Sequence, residues 1–176
     1  LLVVADDEAN PVHVAADLLC EAEHDEDAQV FLVTTSERLA KDVSKLIEQQ
    51  LKGLQREKIA SKAIARHSVA FVVTTMAEAI DVANQIAAEH LTLSVDNPFD
   101  YLEQIRHAGA LFLGRYTPPA VADYVAGPNH VLPTGGSARF FSALSVNDYV
   151  KVSNIVHYTK QELAKVKDPL VRLAHI

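Results

Sequence analysis

The chain has 176 residues, 49% apolar and 22% charged, which is the make-up of a globular protein with one domain-sized core. A net charge of −7 argues against a nucleic-acid partner, which would need a basic face. No apolar run approaches the roughly 20 residues of a membrane span, and Leu1-Leu2-Val3-Val4 has neither the length nor the basic flank of a signal peptide. One cysteine, Cys20, excludes an internal disulfide and suits a reducing, cytoplasmic setting. The only methionine is Met76, and both ends fall inside an apolar pattern, so we expect a piece of a longer protein or a trimmed domain.

Residues 1–5 read as a buried strand. Asn10-Pro11 supplies an N-cap and a first-turn proline for a helix to about residue 23. Residues 29–34 are the next strand, and Ser36 opens a helix to about Leu51. A charged helix over 55–66 and a strand over 69–74 follow. Thr75 and Glu78 make a capping-box pair for a helix ending near Ala87. A strand over 91–95, a helix capped by Asn97-Pro98 and a strand over 110–113 complete the rhythm. Alternating strand and helix predicts a parallel sheet with helices on both faces, an α/β fold.

After Gly114 the character changes to turns, with Pro118-Pro119, Gly127-Pro128, Pro133 and Gly135-Gly136. A long loop in a compact domain is usually functional, and in open α/β sheets ligands bind at strand ends. The tail from Ser145 predicts a short helix, a strand over 152–158, and a helix capped by Thr159 and Glu162. There is no G-x-G-x-x-G and no P-loop, and Gly135-Gly136 alone is too weak for a phosphate cradle.

Three local groupings could carry chemistry. On the first helix, Asp17, Glu21 and His24 share one stripe, and Glu21 with His24 could grip a metal ion; a solvated polar face is the ordinary reason for such a stripe. Glu89-His90 stands at a helix–strand junction and suits general acid–base work, although a helix-end histidine also complements the dipole. Asp123 and His130 lie in the long loop, where an aspartate can equally cap a turn. His13, His67, His107, His157 and His175 have no such context and read as structural or solvent-facing.

Taken together, Ala9-Asn10-Pro11, Ala15-Ala16-Asp17-Leu18-Leu19, Ala22-Glu23-His24, Glu89-His90-Leu91, Ala108-Gly109-Ala110, Phe112-Leu113-Gly114 and residues 123–134 with Gly135-Gly136 resemble the histidinol dehydrogenase family over nearly the whole chain. The resemblance implies an incomplete Rossmann-like α/β fold, with residues 1–140 carrying the catalytic centre and 141–176 beginning a C-terminal appendage. It implies NAD-dependent oxidation of L-histidinol through L-histidinaldehyde to L-histidine, in histidine biosynthesis, by a zinc-dependent homodimer. Carried over by motif, Glu21, His24 and Asp123 would bind zinc. Glu89 and His90 would activate water; His90 and His130 would act as bases, and His90, Asp123 and His130 would meet substrate. A further zinc ligand would come from the partner subunit, and much of the nucleotide-binding region would precede Leu1, so the chain alone is expected to be inactive. The family usually has glutamine at the position of Glu21; the change puts metal tuning and the substrate in question. The alternatives are a relative acting on another amino- or sulfo-alcohol, and a non-catalytic zinc-binding or interaction module.

Overall fold

A computed structural model describes residues 1–175, which divide into two units, one over 1–144 and one from Ser145 onward. The first is built on a five-stranded parallel sheet in the order β3-β2-β1-β4-β5: β1 Leu2–Ala5, β2 Val30–Thr34, β3 Ser68–Val72, β4 His90–Ser94 and β5 Ala110–Leu113. The α/β fold and the parallel sheet are as the alternating pattern predicts. β1 is apolar at every position because it is buried on both faces, as central parallel strands are. Its side chains alternate between two cores. Val3 and Ala5 join Val14, Leu18, Leu39 and Val43 beneath α1 (Pro11–Ala22), α2 (Glu37–Leu51) and α3 (Glu57–His67). Leu2 and Val4 join Ile80, Ala83, Leu91 and Leu93 beneath α4 (Met76–Ile86).

The helix starts follow their local chemistry. Asn10 accepts a hydrogen bond from the Val12 amide (2.9 Å), with Pro11 at the first position. Ser36 accepts from the Leu39 amide (3.1 Å), and Thr75 with Glu78 forms the full capping box of α4. α4 ends at Ala87 in the left-handed region (φ 52°), which turns the chain directly into β4. A non-glycine residue there costs roughly 1 kcal/mol or more, so packing on either side must hold it.

Two expectations fail. The segment after Asn97 is a 3₁₀ helix, Pro98–Gln104, with no side-chain cap bond from Asn97. The second unit contains a short 3₁₀ turn, Val146–Tyr149, and a helix, Lys160–Ala174, capped by Thr159 and Glu162; residues 152–158 form no strand. A strand needs a neighbour for its backbone groups, and this unit has no other among the described residues. Val152 and Ile155 are accordingly 90% and 93% exposed. Among the described residues, no helix is long and apolar enough to cross a membrane.

Candidate active site

The α1 helix runs antiparallel to the strands, so its last turn, with Glu21, returns to their amino edge, and His24 follows just past the end. His90 opens β4 at the same edge. Along β4, Leu91, Leu93 and Val95 fill the α4-side core, while His90, Thr92 and Ser94 alternate onto the other face and are buried polar groups. After β5, Pro119–Val121 makes one helical turn (α5) that widens into a π turn, Ala122–Ala126, ending at Gly127 (φ 85°). That turn presents Asp123, and the chain beyond it brings His130 back over His90. Such π turns are frequent at functional sites.

Glu21, His24, Glu89, His90, Asp123 and His130 thus line one cavity of about 100 Å³, together with Asp17. His90 Nδ1 lies 3.3 Å from Glu21 Oε2, and His130 Nδ1 lies 3.0 Å from Asp123 Oδ1. Both pairs are close in distance but lack hydrogen-bond geometry, and both ring nitrogens of His90 and Asp123 Oδ1 are buried without a partner. The His90 and His130 rings stack, with centroids 5.8 Å apart and planes at 24°. His90 is 7% exposed, whereas the His130 side chain is 60% exposed. Burial pulls the Glu21 carboxyl upward, but the His90 and His24 imidazoles beside it pull it down, leaving it below its ordinary value. Burial, then the neighbouring Glu23, Glu21, Asp17 and Asp123, push the Cys20 thiol up, so it offers no thiolate at neutral pH.

The donor set suits zinc. Ligand atoms of His90, Asp123 and His130 lie within 4.8 Å of one another, and unpartnered buried imidazole nitrogens beside a carboxylate oxygen are what a cation would satisfy. Glu21 and His24 border the same cavity but are not part of that tightest group. A dinucleotide fits less well. The turn after β1 is acidic, Asp6-Asp7-Glu8, where phosphate-binding folds carry glycines and a free helix N-terminus.

The catalytic candidates therefore gather at the amino edge of the strands, not at the carboxyl edge where open α/β sheets usually bind ligands. The carboxyl edge holds an ion cluster that sequence reading missed. Arg115 donates to both carboxylate oxygens of Asp6 (2.9 and 3.0 Å) and to Asp96 (3.1 Å), tying together the ends of β1, β4 and β5. Nothing in the local pattern flags this, since the three residues meet only through the sheet. A broader groove of about 630 Å³ adjoins the site, sharing Glu21 and Glu89 and reaching Gly136 and Arg139.

Asp17 gives a stability prediction. Burial, only partly offset by His13, raises its pKa from 3.8 to about 6. A folded value above the unfolded one means that the native state holds the proton longer, so Asp17 costs nothing below pH 3.8 and its full penalty above about pH 6. Asp17→Asn is expected to stabilise the protein by about 2–3 kcal/mol at pH 7.5, with the gain vanishing toward pH 4. Urea unfolding at several pH values measures it; a pH-independent difference would refute the assignment.

A profile of the histidinol dehydrogenase family matches residues 1–176. The chain is 51% identical over 171 residues to the histidinol dehydrogenase of Caldanaerobacter subterraneus subsp. tengcongensis, covering 97% of this chain and 40% of that protein. It is 49% identical over 176 residues to the enzyme of Geobacter metallireducens, covering 100% of this chain and 40% of that protein. The crystal structure of histidinol dehydrogenase from Elizabethkingia anophelis superimposes with a TM-score of 0.93 at 37% identity, over 99% of this chain and 40% of that one. The chain spans about 40% of the length of the curated relatives it matches. Across its whole length, the chain belongs to the histidinol dehydrogenase family.

Proposed function

We propose that this chain carries the reaction centre of an L-histidinol dehydrogenase, which oxidises the alcohol to the aldehyde and then to the carboxylate of L-histidine. The observation that carries the reading is the gathering of Glu21, His24, Glu89, His90, Asp123 and His130 around one cavity from three separate parts of the chain. In the first oxidation, a neutral imidazole of His90 or His130 takes the hydroxyl proton as hydride leaves the carbinol carbon. In the second, Glu89 with His90 takes a proton from water as its oxygen bonds to the aldehyde carbon and the carbonyl π pair moves onto oxygen; hydride then leaves the resulting hydrate anion, which becomes the carboxylic acid. NAD⁺ is the hydride acceptor that family membership suggests, and no residue of this chain is assigned to it.

Glu21, His24 and Asp123 would hold zinc, with His90 and His130 left free as bases. Bound zinc would supply a Lewis acid that orients the imidazole and amine of the substrate. The adjoining polar groove is wide enough for a small amino alcohol. The active unit is a homodimer whose partner subunit completes the metal shell, which agrees with the exposure of His24 and His130.

The test is histidinol-dependent NADH formation by the complete protein carrying this chain, with two NADH per histidine produced. Absence of turnover with zinc and NAD⁺ supplied would defeat the reading. A second reading, oxidation of another amino- or sulfo-alcohol by the same site, is favoured by one observation: Glu21 places a carboxylate 3.3 Å from His90 where the family usually carries an amide. A higher kcat/KM for such an alcohol than for histidinol would establish it.

A further inference from the structure

His130 is mostly exposed, so core packing does not hold it over His90. Its position depends on how residues 127–144 are anchored. Both chain neighbours of His130 are bonded: Asn129 Nδ2 donates to Leu144 O (2.7 Å), the Val131 amide donates to Asn129 Oδ1 (2.6 Å), and the Leu144 amide donates to Val131 O (3.0 Å). These bonds close the loop on itself but do not attach it to the sheet.

Two residues make that attachment. The Gly109 amide donates to Ala88 O (3.0 Å) and the Ala110 amide to Glu89 O (2.7 Å), which lays the start of β5 against the Glu89 backbone. A Cβ on Gly109 would come 2.6 Å from Glu89 O and 3.2 Å from both Cδ and O of Pro133. Gly109 does not have positive φ, so its lack of a side chain serves space and not backbone conformation. Three backbones, those of Glu89, Gly109 and Pro133, meet at a separation that only glycine permits. The second anchor is Arg139, whose guanidinium donates to Gly136 O (2.8 Å) and to Gln85 O in the last turn of α4. The loop is therefore fastened on either side of the α4–β4 junction that carries Glu89 and His90.

We propose that Gly109 and Arg139 are positioning residues that clamp the His130 loop to the Glu89-His90 backbone and so set the separation of the two imidazoles. The proposal rests on the reading of His90 and His130 as bases. A displacement of about 1 Å at a reacting group can cost about 100-fold in rate. Gly109→Ala must push Pro133 or Glu89 away; Arg139→Ala removes two bonds to carbonyls at an exposed position and leaves the core untouched. Arg139→Lys keeps the charge but loses the fork that spans both carbonyls.

The experiment uses the complete protein, with steady-state histidinol oxidation and amide hydrogen exchange over residues 128–134. We expect kcat to fall roughly 10–100-fold in Gly109→Ala and Arg139→Ala with KM within about 3-fold, a smaller loss in Arg139→Lys, and faster exchange in the order of the rate losses. Parent kcat in folded Arg139→Ala would overturn the proposal, as would unchanged exchange in the loop. If Gly109→Ala does not fold, the two Arg139 variants decide the matter. If the parent itself shows no histidinol turnover, the functional reading fails, while the exchange measurement still decides whether the clamp exists.

Discussion

Replacing His90 or His130 with asparagine in the complete protein is expected to lower turnover by roughly 10²–10⁴-fold, the usual worth of a positioned acid or base. Asparagine keeps a polar side chain of moderate size but cannot exchange a proton near neutrality. The two variants should differ in stability. His90 is 7% exposed and its ring centroid lies 5.7 Å from that of Phe112, so its replacement loosens packing as well as chemistry. The His130 side chain is 60% exposed, and its replacement should leave the melting temperature close to the parent's. A control is His107→Asn: His107 lies beside Asp81, Asn84 and Arg106, away from the cavity, and its loss should change kcat by less than about 2-fold. Measuring kcat together with thermal unfolding separates the two effects. Near-parent rates in both His90 and His130 variants would show that neither ring moves the proton.

How much of this was legible in the residue order depends on the range of the interaction involved. Helix starts at Asn10, Ser36 and Thr75 were readable because each cap is a bond between residues two or three apart. Strand β1 was readable because a central parallel strand is apolar on both faces. The expected strand over 152–158 was not there, since its pattern of Val152, Ile155 and Val156 describes a segment able to pair without saying what it pairs with. The Arg115–Asp6–Asp96 cluster and the clamp at Gly109 were invisible for the converse reason: each is made by residues that the sheet brings together from distant parts of the chain. Glu21, Glu89, His90, Asp123 and His130 had only weak individual signals, and the family resemblance, not spacing, joined them. The loop's destination at the amino edge of the strands followed from neither.

Glu21 is where chemistry and resemblance diverge most, and its substitutions should separate two metal sites. Glu21→Gln is expected to retain zinc and activity, since an amide oxygen occupies the same place and restores the usual family residue. Glu21→Ala is expected to lose zinc during dialysis against a chelator that leaves the parent loaded, because removing a ligand typically costs 10-fold or more in affinity. The structure supplies the reason for expecting Glu21 to bind. Its carboxylate is half-buried, is held below its ordinary pKa by its surroundings, and faces His90 at 3.3 Å on the cavity wall. Two carboxylates, Glu21 and Asp123, in one small cavity repel each other unless a divalent cation stands between them. The competing arrangement is the tighter grouping of His90, Asp123 and His130, whose ligand atoms already lie within 4.8 Å. It makes the opposite forecast: Glu21→Ala would hold zinc as firmly as the parent, and His90→Asn would lose it. Zinc content after dialysis, measured for Glu21→Gln, Glu21→Ala and His90→Asn beside the parent, therefore decides between the two. Zinc lost from Glu21→Ala and kept by His90→Asn assigns the metal to the end of α1 and leaves the buried imidazole free to act as a base.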